Sequence, residues 1–71
     1  MDKITLNVGN VFRQSWKGCT NPITFEVLSL DREHNNLRVK CSQHNRPTWE
    51  EDWDDLDITE NAFYSGEYSL I

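Results

Sequence analysis

What this chain lacks narrows it first. No stretch of its 71 residues approaches the ~18–20 consecutive apolar residues that a membrane helix needs. The N-terminal MDKITLNVGN has no basic region followed by an apolar run, so a secretory leader is not expected. A cytoplasmic protein is the expectation, with Cys19 and Cys41 as reduced thiols. No Cys-x-x-Cys pair is present, which weakens any zinc site built from Cys19, His34, Cys41 and His44. No internal repeat, low-complexity tract or linker divides the chain, so residues 1–71 are expected to form one small domain.

The most telling absence is one of charge. Residues 50–71 contain no Lys or Arg and eight Asp or Glu, a sum of −8. Residues 1–49 hold seven Lys/Arg against four Asp/Glu, a sum of +3, which gives the whole chain its −5. Clustered positive charge is what phosphate contacts require, so direct nucleic-acid binding is not expected. An acidic half instead bears on solubility and on the charge of a partner.

What is present is enough for one small core. A chain of this length buries only ~60% of its unfolded surface, and a stability of roughly 3–5 kcal/mol is expected without staples. Eight aromatic residues supply much of the apolar area, and each buries on the order of 150–250 Å².

Short period-2 segments separated by turn residues predict an all-β domain. Ile4, Leu6 and Val8 alternate with polar residues and predict a strand or extended lead-in, turned at Gly9-Asn10. Residues 11–16 continue extended, and 17–22 form a loop ending at Pro22. Residues 23–30 make the clearest strand, with Ile23, Phe25 and Val27 on one face. The alternation breaks at Leu28-Ser29-Leu30, which predicts a bulge or bend. Residues 31–36 are a polar hairpin turn. In residues 37–42, Leu37, Val39 and Cys41 point inward, with Arg38, Lys40 and Ser42 outward. Residues 48–54 then place Trp49, Glu51 and Trp53 on one face and Glu50 and Asp52 on the other. The latter pair is expected to face Arg38 and Lys40 across the strands, with Glu26 facing them from the other side, at roughly 0.2–1 kcal/mol per pair. Asp57 and Glu60 have the spacing of a capping box. It would open a short helix with Ile58, Ala62 and Phe63 inward and Gly66 at its C-terminal end. Residues 67–71 close the chain as a last strand.

Four strands, a helical turn and a fifth strand resemble the SH3-like small β-barrels, as does the string VGNVF near the start. The Trp-Glu-rich strand and the closing Gly-Glu-Tyr are similar to those of small phage and mobile-element proteins. The resemblance implies a mainly β, five-stranded SH3-like barrel with a short helix before the last strand. It implies no functional residues. SH3-like barrels often bind Pro-rich or basic peptides, an analogy of fold alone.

The candidate binding site is the run TWEEDWDDLDITE, residues 48–60. Its candidate contacts are Trp49, Glu50, Glu51, Asp52, Trp53, Asp54, Asp55, Asp57 and Glu60. Seven carboxylates within residues 50–60 exceed what pairing and capping need, and their mutual repulsion costs stability. The competing account is a solvated face beside a capped helix. Trp49 and Trp53 are expected to pack on Phe25 and Val39; alternatively, one of Trp16, Trp49 and Trp53, with Tyr64 or Tyr68, lines an exposed groove suited to a cation. The DWDDLD segment lacks the Gly and distal Glu of a calcium loop. No carboxylate pair here is set up for acid–base work, and neither His has a companion nucleophile. The expectation is therefore a non-enzymatic module without metal or cofactor, binding a basic protein. The alternatives are a phage-type inhibitor that mimics nucleic-acid phosphates and a structural subunit of a larger assembly.

Overall fold

A computed structural model describes residues 4–71; the part of the leader expectation that rests on residues 1–3 lies outside the described residues. The strands are β1 (Val11–Gln14), β2 (Thr24–Asp31), β3 (Asn36–Ser42), β4 (Trp49–Trp53) and β5 (Tyr68–Leu70), with helix α1 (Leu56–Asn61) between the last two. All described pairings are antiparallel, and the strand order is β4-β3-β2-β1-β5.

The period-2 pattern decides which face is buried. Phe12, Phe25, Val27, Leu37, Val39 and Cys41 line one face of the sheet and are buried, with Leu6 and Leu56 packed over them. Each such side chain contributes about 1.5–3 kcal/mol through burial. Aromatic rings hold the centre: Phe25 lies 5.0 Å from Phe12 and 5.0 Å from Trp53, while Tyr68 is 5.1 Å from Phe12.

The broken alternation in β2 is a bulge. Val27 pairs with Val39 and Ser29 with Arg38, so Leu28 is the extra residue. The insertion returns Leu30 to the core face opposite Leu37. Without it, the period of two would turn Leu30 outward.

Three expectations are corrected or narrowed. The sheet does not close into a barrel: β4 and β5 are its two edges, and no pairing joins them among the described residues. Closure requires the last strand to run along the first edge with a consistent tilt, and β5 has three residues, all registered with β1. Second, of the two readings expected for residues 4–8, the strand is not formed, which leaves the lead-in. Leu6 is fully buried, but Val8 is 63% exposed. The Leu6 backbone is satisfied by side chains instead: its N–H donates to Glu60 Oε2 at 2.7 Å, and its carbonyl accepts from Arg32 at 2.8 Å.

Third, α1 starts at Leu56, not after Asp57. That start places Leu56, Thr59, Glu60 and Phe63 on the inward side, one turn apart, and leaves Ile58 64% exposed. No capping box forms. Asp55 is the N-cap residue and makes no side-chain bond to the helix backbone. Asn35, at the tip of the β2–β3 hairpin, supplies the cap: its carbonyl accepts from Leu56 N–H at 3.1 Å and its Oδ1 from Asp57 N–H at 2.9 Å. Asn35 holds φ +58, a left-handed conformation that asparagine tolerates well. The helix ends five residues before Gly66, whose φ of +80 serves the turn into β5 instead.

Candidate functional site

The acidic run is divided by the fold into three environments. On β4, Trp49, Glu51 and Trp53 share the inner face, and Glu50 and Asp52 the outer one, because side chains alternate along a strand. Beyond β4, Asp54 is exposed and Asp55 half-buried. On α1, Asp57 is exposed and Glu60 is buried.

On the outer face, Arg38 of β3 bridges two carboxylates. Its Nε donates to Glu50 Oε1 at 2.9 Å and its NH1 to Asp52 Oδ1 at 2.7 Å. Both contacts, Asp52 foremost, push the guanidinium pKa up. The β3–β4 register sets Arg38 opposite Asp52 and Lys40 opposite Glu50, while Glu26 of β2 sits on the other side of Lys40. The expected cross-strand ion pairs are made by Arg38, while Lys40 faces Glu50 and Glu26 in register only.

On the inner face, the indole N–H groups of Trp53 and Trp49 both donate to Glu51, at 2.9 and 2.5 Å. These bonds, Trp53 first, hold the Glu51 carboxyl below the usual carboxylate range, against a smaller opposing effect of burial. The three residues at i, i+2 and i+4 thus form one unit. The Arg46 guanidinium lies 4.2 Å above the Trp49 ring, so this face already carries one cation on an aromatic surface. Burial raises the Tyr68 pKa, with further contributions from Glu67, Asp55 and Glu51.

A groove of about 400 Å³ opens where the β2–β3 hairpin meets the end of β4. Leu30, Leu37 and Trp53 supply its apolar wall, and Asp31, Asp52 and Asp54 its acidic rim. Arg38, the cation in the lining, is engaged by Glu50 and Asp52. Asp31 lies 2.7 Å from His34 Nδ1, and that contact lowers the Asp31 pKa.

Asp55, Asp57 and Glu60 hold structure together. Asp55 Oδ1 accepts from the Thr59 hydroxyl at 3.3 Å, and Asp57 Oδ1 accepts from Asn35 Nδ2 at 2.8 Å. Glu60, 3% exposed, binds Arg32 through both carboxylate oxygens at 3.1 and 2.9 Å. Trp16 and Tyr64 are partly exposed but lie away from the groove lining, whereas Tyr68 packs into the aromatic core. Sequence reasoning did not place Asp31, Leu30 and Leu37 at this groove; the bulge that turns Leu30 toward Leu37 was the one available signal.

The imagined zinc set is not gathered. Cys41 is buried in the core of β3, and burial pushes its thiol up to about 11. Cys19 is half-buried in the loop after β1. Among the described residues, the grouping with metal-ligand spacing is Asp31, Glu33 and His34, all exposed on the hairpin. No helix among the described residues is long and apolar enough to cross a membrane.

No protein-family model matches the chain, and no curated protein or solved structure matches it either.

Proposed function

We propose that this protein is a non-enzymatic binding module that takes a basic protein segment along β4 and into the adjoining groove. One observation carries the proposal. Glu50, Glu51 and Asp52 stand consecutively on an exposed strand at the edge of the sheet, and Trp53 and Asp54 continue that strand into the groove. Arg38 offsets a single charge of this set. The half-buried indoles give a cationic side chain an aromatic surface, as Arg46 on Trp49 illustrates. The element order, with a helical turn leading to β5 beside β1, supports a scaffold related to the SH3-like small barrels.

The test compares two charge-matched variants. Asp52→Asn with Asp54→Asn neutralises the groove rim, and Glu26→Gln with Glu67→Gln neutralises two exposed carboxylates outside the groove lining. Affinity for an Arg-rich peptide is expected to fall about tenfold in the first variant, or ~1.4 kcal/mol, and to change little in the second. Equal losses in both variants would reduce the effect to net charge and overturn the proposal. Added duplex DNA should not compete; if a captured partner were displaced by it, the phosphate-mimic alternative would replace this one.

A further inference from the structure

We infer that the basic partner binds by adding a strand to the free edge of β4. This rests on the proposed function above and specifies its mode. In an antiparallel ladder, alternate residues direct their N–H and C=O groups to opposite sides. β4 pairs with β3 on one side, and among the described residues no backbone hydrogen bond reaches it from the other. The edge is exposed at Glu50, Glu51 and Asp52. An open row of backbone donors and acceptors is a template for a further strand.

Charge chooses the occupant. Three consecutive carboxylates mean that a second copy paired along β4 sets acid against acid near the centre of the ladder, which is destabilising. A strand carrying Arg or Lys at alternate positions reverses the sign. Arg38 engages Glu50 Oε1 and Asp52 Oδ1, and no hydrogen bond to Glu50 Oε2 or Asp52 Oδ2 occurs among the described residues. Those oxygens are the acceptors for basic side chains on the outer face of the added strand. On the inner face, Glu51 has both oxygens engaged by indole N–H groups. There the half-buried Trp49 and Trp53 favour apolar side chains. The partner segment is therefore extended, basic on one face and apolar on the other.

Two synthetic peptides test the mode. One alternates Arg and Val; the other has the same side chains on a fully N-methylated backbone, which keeps the charges and removes the donors. The first should bind at low salt and slow hydrogen exchange of the alternate, unpaired amides within residues 49–53 by at least tenfold. The second should bind at least tenfold more weakly. Equal binding of both peptides, with the β4 amides unslowed, overturns strand addition while leaving a basic partner in place. Failure of both peptides to bind at low salt removes the basic-partner reading itself, and the added strand with it.

Discussion

Two arginines in this protein each hold two carboxylate oxygens, at opposite sides of the burial scale. Arg32 binds both oxygens of one carboxylate, Glu60, whose side chain is 4% exposed. Arg38 binds one oxygen from each of two carboxylates, Glu50 and Asp52, whose side chains are 48% and 75% exposed. In both cases an acidic partner raises the arginine pKa. The energetic consequences differ, because a buried carboxylate that loses its partners has no water to replace them. The Arg32 pair also holds the backbone of Leu6 at both its N–H and its carbonyl, so it fastens the N-terminal segment to the helix. The Arg38 pair fastens nothing beyond two neighbouring strands. The same residue types therefore hold the fold in one region and leave charge for a partner in the other.

The sharpest way to break this comparison is to remove the buried acid. Glu60→Ala should destabilise the domain by about 2–3 kcal/mol, since it deletes charge-assisted bonds and leaves the Leu6 N–H unpaired. In a domain of roughly 3–5 kcal/mol, urea denaturation would then begin near zero denaturant. Glu60→Gln keeps the shape and one acceptor, and should cost less. A wild-type midpoint for Glu60→Ala would show that Leu6 is held by packing alone.

Asn35 gives the next effect in size. Asn35→Gly preserves the positive φ and deletes the side chain that bonds Asp57. Because Gly adopts the left-handed region freely, while a Cβ there costs roughly 1–2 kcal/mol, Asn35→Ala should be the worse variant. It loses the same bonds and also strains the left-handed backbone. Urea midpoints of the two variants would separate cap from turn; equal midpoints would mean that the backbone conformation matters little here.

The asymmetry between these regions follows what a sequence can show. The β2–β3–β4 register was legible because it depends on period-2 patterning and on residues close in the chain. Phe25, Val27, Leu37, Val39 and Cys41 face inward as the alternation requires, and Arg38 meets Glu50 and Asp52 as the meander requires. The bulge at Leu28 was legible as a broken alternation. The Arg32–Glu60 pair was not, since its partners are 28 residues apart and Glu60 matched a local capping motif. Tertiary contacts overrode that motif: Asn35, 22 residues before Asp57, took the capping role and moved the helix start. The alternation of Ile4, Leu6 and Val8 left a strand and a lead-in both open for a related reason, since the side chains that satisfy Leu6 are distant in the chain. Of the acidic run, the two faces of β4 were legible; the division that leaves Glu60 buried and Asp54 exposed depends on where α1 docks.

On the exposed side, Arg38→Ala should cost less than ~1 kcal/mol, the usual limit for surface ion pairs. Moderate salt should erase most of that difference, because exposed charges are screened over about 10 Å at 0.1 M. A loss that persisted at high salt would place Arg38 with Arg32 as a structural cation. The same variant leaves Glu50 and Asp52 without their intramolecular partner, so affinity for the Arg-rich peptide should rise as stability falls. Opposite signs in those two readouts are what separates a face that holds charge for a partner from one that serves the fold.

The smallest effect lies in the pH dependence of Glu51. Its carboxyl is held below the ordinary range by Trp53 and Trp49, so its folded pKa lies under the unfolded value of about 4.3. A depressed carboxylate stabilises the fold fully above the unfolded pKa and loses that contribution as pH falls through the folded value. Glu51→Gln should therefore be less stable than wild type at pH 7, and the gap between their urea midpoints should close as the pH drops through and below the ordinary carboxylate range. A gap that stayed constant with pH would mean that the indoles need only an acceptor at position 51, neutral or charged. The two tryptophans would then be positioned by shape, and the negative charge of Glu51 would remain on β4 for its effect on a partner.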